Sequence, residues 1–165
     1  MNRRHFLLGL SGAFALLGSV QSGRAECGTQ TAREFVEALY QKQARLHAEK
    51  TPMSDEDFNE TFSSGLRRLM TAPRQTPNTM PDGPILNALF GYGVLPGAEV
   101  TIGKVTLATG EDTGPATIAV RIKHRGEQHR LLVHVINQDD DYRIANIIYD
   151  SGKSLLAHYQ AITRA

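Results

Sequence analysis

Residues 116–149 read ATIAVRIKHRGEQHRLLVHVINQDDDYRIANIIY, and this stretch decides the fold class. Residues 116–124, 128–137 and 142–149 are three runs rich in Val, Ile, Leu and Tyr. They are joined by Arg125-Gly126 and by Gln138-Asp139-Asp140-Asp141. Short connections bearing Gly or clustered Asp between β-rich runs predict antiparallel hairpins. With Arg125-Gly126 at the first tip, Ile122 faces His129, Val120 faces Leu131 and Ile118 faces Val133. With Asp139-Asp140 at the second tip, Val135 faces Ile144, Val133 faces Asn146 and Leu131 faces Ile148. This register makes one face almost wholly aliphatic, with Asn146 as its single amide. The other face then carries Arg121, Arg130, His134, Arg143 and Tyr149 around Leu132, Ile136, Ala145 and Ile147. A slip of one residue would exchange the two faces, so the assignment rests on the turns.

Working outward, the β pattern begins earlier, at Glu99. Val100, Ile102, Val105 and Leu107 predict a fourth strand that bends near Gly103. Upstream the period changes. From Thr29, apolar residues fall at Phe35, Val36, Leu39, Tyr40 and Leu46, the spacing of an amphipathic helix running to about Lys50, where Pro52 stops it. Ser54 then caps a second helix whose first turn holds Asp55, Glu56 and Asp57, charges that suit a helix N-terminus. Its predicted buried stripe is Phe58, Phe62, Leu66, Leu69 and Met70. Residues 73–84 carry four prolines and read as an extended loop. Pro84 opens a short helix through Leu86, Leu89 and Phe90, which Gly91 and Gly93 end. Beyond the meander, Leu155, Leu156, Tyr159 and Ile162 predict a final helix over 154–162. Helices first and a four-stranded meander afterwards is an α+β arrangement, with N-terminal helices packed on a curved antiparallel sheet and a short C-terminal helix.

The chain has 165 residues, 41% hydrophobic and 21% charged, with a formal charge of +1. That suits one domain with a real core, and it excludes wholesale disorder. A near-neutral balance without a basic stripe argues against nucleic-acid binding.

The first 25 residues stand apart. Arg3 and Arg4 precede Phe6 and an apolar run to Val20, and a polar stretch then ends in Gly23-Arg24-Ala25. A basic start, a short apolar middle and small residues before a cut read as an export signal cleaved near Ala25. The run is too short for a bilayer-spanning helix, so no membrane span is expected after cleavage. Asn2-Arg3-Arg4-His5-Phe6-Leu7-Leu8 resembles the bacterial twin-arginine motif, with Sec export the open alternative. The expected organisation is thus a signal over 1–25 and a single domain over 26–165, located in the periplasm. Losing Arg3, Arg4 and Arg24 removes three of 18 bases and none of 17 acids, so the remaining 140 residues carry 15 bases against 17 acids. Cys27 is the lone cysteine, so no intrachain disulfide is available. Arg24, Ala25 and Glu26 do not supply the Leu and small residues that precede a lipid-anchored cysteine.

The order of elements, together with Phe35-Val36-Glu37-Ala38-Leu39-Tyr40, Phe62-Ser63-Ser64-Gly65-Leu66-Arg67-Arg68-Leu69 and Tyr142-Arg143-Ile144-Ala145-Asn146-Ile147-Ile148-Tyr149, resembles the NTF2-like superfamily, the cystatin-like α+β cone. With Gly152-Lys153-Ser154-Leu155 added, these pieces resemble the bacterial DUF3828 domain, found in exported proteins of unassigned function. The last piece, extended to Tyr159, is also similar to the end of MlaC-type periplasmic phospholipid carriers, which are longer. The resemblance implies a role in binding a small apolar ligand or a protein partner, with acid/base catalysis in the cone or phospholipid carriage as alternatives.

Side chains for chemistry are sparse. No nucleotide loop, metal-binding helix or nucleophile elbow occurs, and Gly91-Tyr92-Gly93 is too short for a dinucleotide fingerprint. His124 lies near the first tip while His129 and His134 point to opposite faces, so the three cannot share one ion, and neither metal nor cofactor is expected. A ligand pocket on the helix side would use Tyr40, Tyr92 and Asn146. An amide cannot take a proton, and no Asp–His pair falls on that face, so no catalytic residue is assigned. The face with Arg121, Arg130, His134, Arg143 and Tyr149 reads as a solvated surface or as an interface for an acidic partner or a second subunit. Like charges facing one another are unfavourable unless neutralised.

Overall fold

The computed structural model describes residues 29–72, 85–91, 97–108 and 114–164. Its elements run α1 (Thr29–Ala48), α2 (Asp55–Thr61), α3 (Ser64–Thr71), α4 (Ile85–Phe90), β1 (Glu99–Leu107), β2 (Ala116–His124), β3 (Glu127–Gln138), β4 (Asp141–Tyr149) and α5 (Leu155–Arg164). The strands form one antiparallel sheet in the order β1-β2-β3-β4. The architecture is therefore α+β, as the change of period predicts. The signal-like residues, including Arg3, Arg4, Ala25 and Cys27, lie outside the described residues, as does Tyr92.

Both hairpin tips turn where the sequence places them. Arg125 and Gly126 have φ of 50° and 87°, and Asp139 and Asp140 have φ of 58° and 66°. Two successive positive φ values give the twist that a two-residue hairpin needs. The β2–β3 pairing follows, with Ile118 opposite Val133, Val120 opposite Leu131 and Ile122 opposite His129.

The β3–β4 pairing starts as expected, with Val135 opposite Ile144, and then departs. His134 pairs with Asn146, Val133 with Ile147 and Leu131 with Tyr149, so β4 carries one extra residue at Ala145. This β-bulge exchanges the faces of the rest of β4. Ile147 and Tyr149 are buried on the helix side beside Ile144 and Tyr142, while Asn146 and Ile148 move to the opposite row. The expectation that Asn146 belongs to the aliphatic face and Tyr149 to the arginine face is corrected accordingly.

The predicted second helix is also two. Ser63 caps α3 through its hydroxyl, which accepts from the Leu66 amide, and its own amide donates to the Ile144 carbonyl at 2.9 Å. Phe62 bridges to Ile144 and is fully buried, so the chain between α2 and α3 runs briefly alongside β4 and covers that edge. On the other side of the sheet order, β1 bulges between Ile102 and Val105, at the bend expected near Gly103. A Cβ at Gly103 would stand 3.1 Å from the Ala119 carbonyl oxygen, which explains the glycine there.

The core lies between the helices and the inner sheet face. Val36, Leu39 and Tyr40 of α1, and Leu66 and Met70 of α3, meet Ile118, Val120, Ile122, Leu131, Val133, Val135, Ile144 and Ile147. α5 packs on β4 and α3, burying Leu155 and Tyr159. No helix among the described residues is long and apolar enough to cross a membrane.

Candidate functional site

Two surfaces gather side chains that could meet another molecule. The first is the outer face of the sheet. Its rows run across the strands: Thr101, Arg121 and Arg130; then Ala119, Leu132 and Ile148; then Thr117, His134 and Asn146; then Ile136 and Arg143. Arg121 and Arg130 stand directly opposite one another, both exposed, and neither has an acidic partner among the described residues. Beside them Leu132 is 42% exposed, an apolar side chain open to solvent in the middle of the face. Ile148, directly opposite it, is half-buried, as is Ile136 two rows away. Arg143 is engaged differently: it donates to Asp141 at 3.3 Å and to the Tyr142 carbonyl at 2.9 Å. His134 sits half-buried in the third row, where burial pushes its imidazole pKa below the ordinary value. Its Nε2 finds no partner among the described residues.

The second surface is a cavity of about 470 Å³ between α1 and β1. Arg33, Glu37, Tyr40 and Ala44 line one wall, and Val100 and Ile102 the other. Residues at i, i+4, i+7 and i+11 of a helix share one side, which is why α1 presents this set together. Arg33 holds the corner. Its Nε donates to Glu37 at 2.9 Å, and its two terminal nitrogens donate to the carbonyls of Gly103 and Ile102 at 3.0 and 3.1 Å. Of the residues that the sequence marks for a pocket, Tyr40 alone reaches this cavity among the described residues. Arg33, Glu37 and Ala44 were not singled out by sequence reasoning. Their signal was the spacing on α1 together with the bend at Gly103, which together place a helix beside a kinked edge strand.

The other candidates are engaged in holding the fold. Tyr40 is buried, and its hydroxyl donates to the Leu89 carbonyl at 2.8 Å. Burial first, and the neighbouring Tyr149 second, push its pKa well above the usual phenol value. Tyr149 donates to the Ala88 carbonyl at 2.6 Å. The two phenols thus pin consecutive carbonyls of α4 against the sheet. Asn146 spends its carbonyl oxygen on the Ser154 hydroxyl and the Leu156 amide, at 3.0 and 2.9 Å. It fastens the start of α5 to β4.

Among the described residues, no three His, Cys, Asp or Glu side chains gather to hold a metal ion. His129 faces the inner side of the sheet end and contacts Asp150 at 3.1 Å, away from His134 on the outer face. No known protein-family model matches the chain, and no curated protein matches it either.

Proposed function

We propose that this chain is an exported, non-enzymatic binding module of NTF2-like build that docks a protein partner on the outer face of its sheet. The observation that carries this reading is the Arg121–Arg130 pair facing each other, unneutralised, beside the exposed Leu132. Like charges directly opposite on a sheet cost stability, whereas an acidic partner would turn both into favourable contacts. An apolar centre rimmed by charge is the composition of a docking patch. The partner chemistry that fits is therefore an apolar surface edged by Asp or Glu. The packing of Ile118, Val120, Leu131, Val133 and Ile147 against the helices supports surface binding over a ligand enclosed at the centre of the sheet. The structural engagement of Tyr40, Tyr149 and Asn146 supports binding over acid/base chemistry. Export rests on the basic start, short apolar run and small-residue end of residues 1–25.

Native mass spectrometry of the protein purified from the periplasm tests this. The wild type is expected to carry a partner subunit, or a second copy, that both Leu132→Glu and Arg121→Glu release. A partner retained by both variants, or a wild-type chain that travels alone, would reject the reading.

A further inference from the structure

The two edges of the sheet are treated differently. The edge of β4 is covered, by Phe62 and Ser63 at Ile144 and by Ser154 at Ile148. Among the described residues, the edge of β1 is covered only in part. Arg33 occupies the carbonyls of Ile102 and Gly103, and the bulge breaks the strand at the same place. Both are recognised ways of blunting an edge against unwanted pairing. The preceding residues have no such cover among the described residues. Because Ile102 turns its carbonyl to Arg33, and so away from β2, the alternation of an antiparallel ladder sends the N–H and carbonyl of Val100 the same way. The Ile102 N–H follows. Val100 and Ile102 also line the cavity of about 470 Å³ whose opposite wall is α1.

We infer that the open stretch of β1 at residues 100–102, walled by Ala44 and Glu37 of α1, binds an extended peptide that adds a short strand to the sheet. A peptide main chain supplies carbonyls to accept from the Val100 and Ile102 amides and an amide to donate to the Val100 carbonyl, partners absent among the described residues, which is the chemistry of strand addition. The volume lies within the range of ordinary ligand sites. Arg33 and Glu37 neutralise one another at 2.9 Å, so the site selects backbone and small apolar side chains rather than charge. Arg33 also sets the length, because the carbonyls it holds are closed to the incoming chain. This site is separate from the outer face and stands whether or not that face docks a partner.

The test uses a phage-displayed library of random twelve-residue peptides, panned on the full mature protein. The selected peptide is then synthesised and titrated by amide NMR. It is expected to shift the Val100 and Ile102 amides and slow their exchange, and to lose binding when alternate peptide amides are N-methylated. Val100→Pro removes an amide that faces away from β2, a change that an edge strand tolerates. Ala44→Arg fills the groove from an exposed helix position. Each variant should weaken binding at least tenfold, while Leu132→Glu leaves it unchanged. Binding that survives both groove variants, binding that Leu132→Glu abolishes, or a library that yields no binder would overturn the inference.

Discussion

Leu131 of β3 pairs with Tyr149 of β4, and this pairing puts the tyrosine hydroxyl on the inner side of the sheet, within 2.6 Å of the Ala88 carbonyl. Four residues along β3, Val135 pairs with Ile144, so five residues of β4 span what four span on β3. The residue taken up at Ala145 is what allows Tyr142, Ile144, Ile147 and Tyr149 to be buried together. Tyr149 and Tyr40 then hold α4 from two directions.

Replacing either phenol by Phe leaves a carbonyl of α4 without its donor. A buried acceptor stripped of its partner costs about 1–3 kcal/mol. Tyr40→Phe is expected at the upper end, because its hydroxyl is fully buried, and Tyr149→Phe at the lower. Urea denaturation should show both losses with an unchanged slope. A wild-type midpoint in Tyr40→Phe would remove the hydroxyl from the account of how α4 is held.

The bulge also explains which parts of the fold and site were legible. Arg125-Gly126 and Asp139-Asp140 announce their turns, because residues that tolerate positive φ are needed there, and the pairing next to each tip follows directly. Ala145-Asn146 announces nothing of the kind, since a bulge of this sort asks for no special residue. Its one trace is the spacing: Ile144 and Ile147 are three apart, and Ile147-Ile148 interrupts strict alternation. Ser63-Ser64-Gly65 likewise hid a second helix cap inside an unbroken apolar stripe. The arginine pair was visible because it lies in the β2–β3 ladder, whose register carries no bulge. The α1–β1 cavity was not, because it depends on how a helix sits over a kinked edge, a tertiary matter.

Gln43 lies on α1 at 1% exposure, and neither polar atom of its amide has a hydrogen-bond partner among the described residues. Burying an unpaired amide costs on the order of 1–3 kcal/mol in proteins. Met has nearly the same shape and no such need, so Gln43→Met should stabilise the protein by about 1–2 kcal/mol. Thermal or urea unfolding checks it. A destabilised variant would mean that the amide holds an internal water or another polar group.

Arg121 and Arg130 repel across β2 and β3 in the free protein. Arg130→Glu turns a like pair into an opposite one, a change worth about 0.2–1 kcal/mol at an exposed cross-strand position. The wild type should gain stability as salt screens the pair, and the variant should gain less or lose. Unfolding midpoints from low to high sodium chloride read the difference. Equal salt slopes would show that the pair is already neutralised.

His134 brings a pH dependence with a definite sign. Burial lowers its pKa in the folded chain, so the unfolded chain binds the proton first as pH falls. Stability is therefore expected to decline as pH drops through the ordinary histidine range near 6.5 and to level off below the lowered folded value. The groups around the imidazole give it no relief: Thr117 and Asn146 flank it and are neutral, Arg143 in the next row is cationic, and the cationic Arg121 and Arg130 stand two rows away. His134→Gln should flatten the profile between pH 7 and 5. Lys42 beside Asp57 lowers that carboxyl and acts in a different window, adding stability that persists above the usual carboxylate pKa and is lost only at lower pH. The two are separable by urea midpoints measured at half-unit steps from pH 8 to 3. A pH 5–7 slope that persists in His134→Gln would assign it to another histidine.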